Sequence, residues 1–349
     1  MKNLRAHWRF LAIVIALALC LIAVKRFRHT GLIQRTSRMT LHALSGRWMV
    51  NATYPFWRGR LSTPTQITKI GSLYFIADCF HNRVIYSPSL DTPIAKWSLL
   101  DGDLAGPHSI ASDSILYVVD DTGRNSLRVY RYHNGKFEHV QTITNLGRRT
   151  HRVRYDPDTT AFYALSANSQ QMTKLVRKAD HLEEVYEKPL PFLKDTGTRS
   201  FTFMDGYMLF VSGPTHQSIT KVRYKDDSYE PVDSYDVPPA IAGGNGMNDI
   251  FRSGKYLYMT ASQKTIIRTT SLDAFRAGQW EDVYSKLGFK GTPYYIEEFD
   301  GRIYVPQVEE FSGIVSFVQD GAAMKDVRTQ FNSGGPKWVD DDVQVSLPK

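Results

Sequence analysis

The sequence predicts an all-β fold: a six-bladed β-propeller preceded by one N-terminal transmembrane helix. Three observations carry this. An aliphatic-or-Phe residue followed by Tyr or Phe recurs six times, with 43, 46, 47, 48 and 46 residues between successive aromatics. Each copy sits in a short alternating run bounded by Gly, Asp or Ser, which is strand chemistry rather than helix chemistry. An apolar run inside a basic collar stands ahead of all six copies. The chain has 349 residues, of which 42% are hydrophobic and 22% charged, as in a folded globular protein.

The N-terminal element comes first. Residues 1–9 form a basic tail, 10–24 the membrane segment, 25–46 a basic linker and 47–349 the propeller. Phe10 to Val24 is uncharged, with Trp8 at its edge. As a helix rising 1.5 Å per residue it falls slightly short of a hydrocarbon core of about 30 Å. Flanking Trp and Arg side chains make up the difference by snorkelling. A cleaved signal peptide is the main alternative and a buried soluble helix a lesser one. "KRFRH" follows the apolar run at once and leaves no small-residue cleavage site.

The first fifty residues hold nine Lys and Arg and no acid, against +8 for the whole chain, so the remainder carries about −1. The basic excess therefore belongs to a collar that favours anionic headgroups, and no nucleic-acid partner is expected. Basic residues lie on both flanks, and the expected orientation places the propeller on the non-cytoplasmic side. Cys20 lies in the anchor, which leaves Cys79 with no disulfide partner in the rest of the chain. Asn51 begins an Asn-Ala-Thr sequon, meaningful only in a eukaryotic secretory lumen.

The repeat follows. The six pairs are Leu73-Tyr74, Leu116-Tyr117, Phe162-Tyr163, Leu209-Phe210, Leu257-Tyr258 and Ile303-Tyr304. A second strand follows most copies, as in "RVIYS" and "SITKVRY", and a shorter one precedes each. A period of 40 to 50 residues with several strands per unit reads as propeller blades. One four-stranded sheet cannot bury both faces alone, whereas six packed in a ring can. Residues 47–56 or the tail near 342–347 are candidates to complete the last blade. "SLDAFRAGQWEDVYSKL", from Ser271 to Leu287, is the one expected helical insertion.

The repeat unit "PTQITKIGSLYFIADCFHNRVIYS" resembles an NHL repeat, and "GPHSIASDSILYVVDDTGRNSLRVYRY" is a looser copy. Six such blades, over about Leu61 to Phe317, resemble the superfamily of NHL proteins, gluconolactonases, paraoxonase-type lactonases and strictosidine-synthase-like proteins. The resemblance implies the fold and, in its lactonase members, a tunnel calcium held by Asn, Asp and Glu. "MNDI" looks like one of those loops, making Asn248 and Asp249 the implied calcium ligands. The first blade's "TPTQI" has no Glu where those families carry one, and Arg199 would repel a cation. Glu297 and Glu298 are loose candidates for the metal-free tunnel glutamate of the strictosidine-synthase branch.

The candidate site comes from aligning the blades. Ile67, Ile110, Val153, Phe201, Ile250 and Ile296 each follow a leading loop, and two places earlier stand Thr65, His108, His151, Arg199, Asn248 and Tyr294. Innermost strands start near the axis, so these six are expected around one end of the tunnel, where small-molecule sites form. His108 and His151 are the candidate general bases. Arg199 offers a fork for an anion, with Thr65, Asn248 and Tyr294 as further ligand contacts. Polar residues there can equally do no more than hold water.

Asp78, Asn82 and Arg83 read as a turn bracing their blade. Cys79 with His81 reads as a buried strand pair before a nucleophile and base. "AGGNG", Ala242 to Gly246, reads as a loop needing positive φ, and Asp340 to Asp342 as a solvated tail. No G-x-S-x-G, P-loop, H-E-x-x-H or paired-cysteine zinc motif is present. The expected function is membrane-tethered binding of a small polar or anionic ligand at the tunnel, without catalysis. A calcium- or His-assisted hydrolase of esters or lactones, or a strictosidine-synthase-like enzyme, is the alternative.

Overall fold

A computed structural model describes residues 59–213, 217–243, 246–308 and 313–331. The apolar segment 10–24, its basic flanks, Asn51, the two proposed closing segments and Asp340 to Asp342 lie outside the described residues. Among the described residues no helix is long and apolar enough to cross a membrane.

Six antiparallel sheets follow one another along the chain. The first holds β1 (Pro64–Ile70), β2 (Leu73–Asp78), β3 (Arg83–Ser87) and β4 (Ser98–Asp101). The second holds β5 (Ile110–Ser112), β6 (Leu116–Asp121), β7 (Ser126–His133) and β8 (Lys136–Ile143). The third holds β9 (Thr150–Asp156), β10 (Ala161–Ser166), β11 (Gln171–Lys178) and β12 (His181–Pro189). The fourth holds β13 (Ser200–Met204), β14 (Tyr207–Val211), β15 (Ser218–Arg223) and β16 (Glu230–Asp236). In the fifth, β17 (Met247–Ser253), β18 (Tyr256–Ala261) and β19 (Thr265–Thr269) end on the short β20 (Trp280–Asp282). In the sixth, the innermost strand is split into β21 (Thr292–Pro293) and β22 (Glu297–Phe299), both paired with β23 (Arg302–Val308), and then come β24 (Gly313–Asp320) and β25 (Ala323–Gln330). Every sequence-located aromatic pair falls on the second strand of its blade, apart from the sixth, where the split makes it β23.

Local chemistry explains the meander. Asn134-Gly135, Asp205-Gly206 and Asp300-Gly301 take positive φ at both residues, as tight hairpins require. Period-2 alternation then sends the two faces of each blade into two different interfaces. In β2, Leu73, Phe75 and Ala77 join a cluster with Ile110, Tyr117 and Val119 of the second blade. Ile76, between them in sequence, joins Tyr304 and Ile314 of the sixth. Among the described residues, six of the seven apolar clusters lie one at each interface around the ring, and the seventh is Tyr294, Tyr295 and Val308. Burying each large side chain contributes roughly 1.5–3 kcal/mol.

Two polar devices repeat between blades. The residue before the aligned apolar position accepts the amide of the next blade's aligned residue. Gln66 Oε1 takes Ile110 N at 2.7 Å, Ser109 Oγ takes Val153 N at 2.9 Å, and Asp249 Oδ2 takes Ile296 N at 3.0 Å. In the first two blades a 3-10 turn ends on a left-handed Asn, Asn82 or Asn125. Its Oδ1 accepts from the next leading loop, at Gly106 N (3.0 Å) and Arg149 N (2.6 Å). The NHL-like signature is thus a fastening between neighbours, in line with the bracing role read for Asp78, Asn82 and Arg83.

Among the described residues each blade is built from consecutive strands, with β25 as the outer strand of the sixth. The ring closes through side chains: Gln66 Nε2 donates to Glu297 Oε1 at 2.9 Å, and Tyr74 donates to Asp300 at 2.7 Å. The segment from Ser271 to Leu287 is only partly helical. After the short α1 (Pro239–Ala242), α2 (Leu272–Arg276) is capped by the Ser271 hydroxyl, which accepts from Ala274 N. Gly278 then turns the chain at φ 75°, and Trp280–Asp282 pairs with β19. An unfilled sheet edge wins over local helix propensity there.

Candidate functional site

The tunnel axis is crossed by side chains from opposite blades. His151, on β9 of the third blade, has Nδ1 3.0 Å from the Tyr295 hydroxyl and Nε2 3.4 Å from the Tyr294 hydroxyl, both from the sixth blade. His108, just ahead of β5, stacks on His151 with ring centroids 3.8 Å apart and planes 33° apart. Tyr294 lies 6.3 Å from the His108 ring. Three of the six aligned residues therefore meet. His108 and Tyr294 keep 9% and 7% exposure, whereas His151 has none, so it forms the floor of the cluster.

The hydrogen bonds assign the protons. The Tyr295 hydroxyl is 3.4 Å from His151 O and 3.5 Å from Arg199 O and donates to carbonyl oxygen. It then accepts from His151 Nδ1–H, which leaves Nε2 to accept from Tyr294, the pattern of a neutral imidazole. His108 Nδ1 is 3.1 Å from Thr122 Oγ1, whose hydroxyl donates to Asp120 Oδ2 at 2.6 Å. His108 Nε2 lies 3.7 Å from Cys79 Sγ. Both His108 nitrogens thus face acceptors.

Burial works against the charge on His108, but Cys79, Tyr294 and Asp120 outweigh it and raise its pKa well above the ordinary value. Burial, then His108 and the nearby Arg149 and Arg199, push His151 well below it. Two imidazoles in van der Waals contact disfavour a second positive charge. Nitrogen-detected NMR at neutral pH is expected to show His108 protonated on both nitrogens and His151 neutral. The linkage signs are opposite. His108 contributes stability below about pH 6.5 that is lost as pH rises through its raised folded pKa; His151 contributes stability above about pH 6.5 that is lost as pH falls toward its depressed folded pKa. Both rings titrating together near 6.5 would overturn this assignment.

The other aligned residues are placed differently. Thr65 Oγ1 donates to His108 O at 2.9 Å, tying the first blade to the second. Asn248 Nδ2 donates to Pro293 O at 2.8 Å and its Oδ1 accepts from Ser262 at 3.1 Å. Both are fully buried and committed to neighbours. Arg199 is half-buried.

Asp249 does not suit a cation. Its Oδ1 accepts from Ser200 Oγ at 2.9 Å and its Oδ2 from Ile296 N at 3.0 Å, with Arg152 and Arg154 at 3.7 and 3.6 Å. Among the described residues no group of three His, Cys, Asp or Glu could hold a metal ion. These residues do not fit the calcium site that the lactonase resemblance implies. Glu298 is exposed, while Glu297 points inward to Gln66. His81 Nδ1 faces Asp78 at 2.7 Å, so the imidazole beside Cys79 is His108. Gly243 and Gly246 do take positive φ, at 53° and 84°. A Cβ on Gly246 would lie 2.4 Å from Gly213 Cα, so close backbone approach demands glycine there.

No protein-family sequence profile and no curated protein matches this chain. Solved structures do. A candidate 6-phosphogluconolactonase from Bacteroides uniformis superposes at TM-score 0.53 and 13% identity, over 75% of this chain and 84% of that one. Another from Bacteroides fragilis gives 0.52 and 17%, over 76% and 84%. A streptogramin B lyase gives 0.52 and 13%, over 77% and 83%. At these identities the likeness is one of fold: the chain is a six-bladed all-β propeller with lactonase and lyase structures among its neighbours.

Sequence reasoning missed Tyr295, Thr122, Asp120 and the Cys79–His108 approach. It also missed Arg152 and Arg154, although "HRVR" visibly places two cations on the same side of an inner strand. Nothing local indicates which inward side chains are long enough to reach across the axis.

Proposed function

We propose that the hub binds a small polar ligand bearing an acid group. The propeller is tethered by residues 10–24 to a membrane, on its non-cytoplasmic side. The observation that carries the reading is the convergence of His108, His151 and Tyr294 from three blades, with His108 stacked on His151 at the partly exposed side. Arg199, half-buried on the neighbouring loop, adds a second cation for an oxyanion. Hydrolysis with a histidine base is the less favoured reading. Both His108 nitrogens face acceptors and its pKa is raised, which suits an anion or a proton donor, while His151 spends its acceptor nitrogen on Tyr294.

Structural neighbours described as 6-phosphogluconolactonases suggest gluconate and 6-phosphogluconate as probes for calorimetry. Tyr294→Phe and Arg199→Gln are each expected to weaken binding about tenfold, close to 1.4 kcal/mol. Melting temperature should stay within about 2 °C of the parent. Equal binding by parent and both variants would remove the hub as the site. Cys79 beside His108, with Thr122 and Asp120 behind, favours a second reading as a thiol-dependent hydrolase. Turnover of gluconolactone by the parent, abolished in Cys79→Ala, would establish that reading instead.

A further inference from the structure

Beneath the hub the tunnel contains two arginines that the binding reading above does not use. Arg152 and Arg154 flank Val153 on β9, two residues apart on the same side of the strand. Arg152 is completely buried, and Arg154 has 17% of its side chain exposed. The Tyr295 ring covers one face of the Arg152 guanidinium, with Cζ 3.6 Å from the ring centroid. That contact fixes the plane of the group and leaves its edge for hydrogen bonding.

The edge finds no partner. Among the described residues, Nε, Nη1 and Nη2 of Arg152, and Nε and Nη2 of Arg154, are buried without a hydrogen bond. The nearest acids stand off. Arg152 Nη2 is 3.7 Å from Asp249 Oδ2 and 3.6 Å from Glu297 Oε1, and Arg154 Nη2 is 3.6 Å from Asp249 Oδ2. These distances give charge attraction but exceed hydrogen-bond reach. Nor can the acids readily close in. Asp249 is held by Ser200 and by Ile296 N, and Glu297 by Gln66. Native interiors rarely leave five such donors unmet, because each costs its full desolvation. Burial and Arg152 together depress the Arg154 pKa.

We propose that Arg152 and Arg154 form a second, deeper site that binds a small oxyanion of the carboxylate or phosphate class. A planar or tetrahedral group with two oxygens matches guanidinium edges bidentately. The flanking Asp249 and Glu297 limit the charge the site accepts, which favours a singly charged group. This proposal does not rest on the hub binding a ligand.

The test is thermal unfolding of the full chain in acetate and in inorganic phosphate, each against chloride at matched ionic strength. A saturable, oxyanion-specific rise of roughly 5 °C is expected. Arg199→Gln removes the hub's cation and should keep a rise. Adding Arg154→Gln, at the partly exposed end, should abolish that remaining rise, as should adding Arg152→Gln if it folds. The proposal is overturned by equal melting in chloride and both oxyanions, by a rise that persists in the Arg199→Gln, Arg154→Gln double variant, or by a rise lost in Arg199→Gln alone. The last outcome would assign the anion to the hub.

Discussion

Asp78→Asn is expected to destabilise the propeller by about 3–5 kcal/mol, the usual cost of removing one partner from a buried ion pair. Asp78 is fully buried at the end of β2. Its Oδ1 accepts Ser62 N at 2.8 Å and Thr63 N at 2.9 Å, pinning the loop that leads into β1. Its Oδ2 faces His81 Nδ1 at 2.7 Å and Arg83 Nε at 3.0 Å. Asparagine keeps the shape but removes the charge. Whichever way the amide turns, it either presents N–H to Arg83 and His81 or abandons the two loop amides. For a domain of this size the melting temperature should fall on the order of 10 °C. A fall under about 2 °C would show that the network is not structural.

The same residue sets an acid limit. Burial opposes ionisation of Asp78, but His81 and Arg83 outweigh it and hold its pKa far below the usual carboxylate range. A depressed folded pKa contributes stability that is complete above the unfolded value, near 3.9, and lost as pH falls toward the folded one. Urea unfolding of the parent should therefore weaken below about pH 4 by up to roughly 1.4 kcal/mol per pH unit from this group. Asp78→Asn should lack that component.

Ile314→Ala is the second large effect, at about 2–5 kcal/mol for an unrelaxed core cavity. Ile314 on β24 is fully buried with Ile67, Ile76, Ile85 and Trp97 of the first blade. This interface differs from the other five. Elsewhere a loop links neighbouring blades, whereas the first and sixth blades are not consecutive in the chain. Opening the ring at this seam stretches no covalent connection. Ile314→Ala should therefore speed hydrogen exchange in β1, β23 and β24 ahead of the rest. Leu175→Ala, in the cluster between the second and third blades, should lower global stability without that local opening. Uniform acceleration in Ile314→Ala would mean the seam is no weaker than its neighbours.

The repeat was legible because strand alternation and hairpin turns are local properties, written within six or seven residues. Leu73-Tyr74 and its counterparts located a central strand in every blade, and the Gly, Asp and Ser residues bounding those runs marked its turns. The segment from Ser271 to Leu287 was misread as wholly helical because its last strand forms only where β19 offers an edge. Asn248 and Asp249 looked like cation ligands because residue type alone does not show that Pro293, Ser262, Ser200 and Ile296 already occupy them.

By itself the sequence determined the blade count and the central strand of each blade, since both follow from a short periodic pattern. Only the tertiary structure decided which of the aligned inner residues meet. His151 and Tyr294 stand 143 residues apart and touch because closure sets the third blade opposite the sixth. The diameter of the closed ring governs that contact, and it is not encoded in any local stretch.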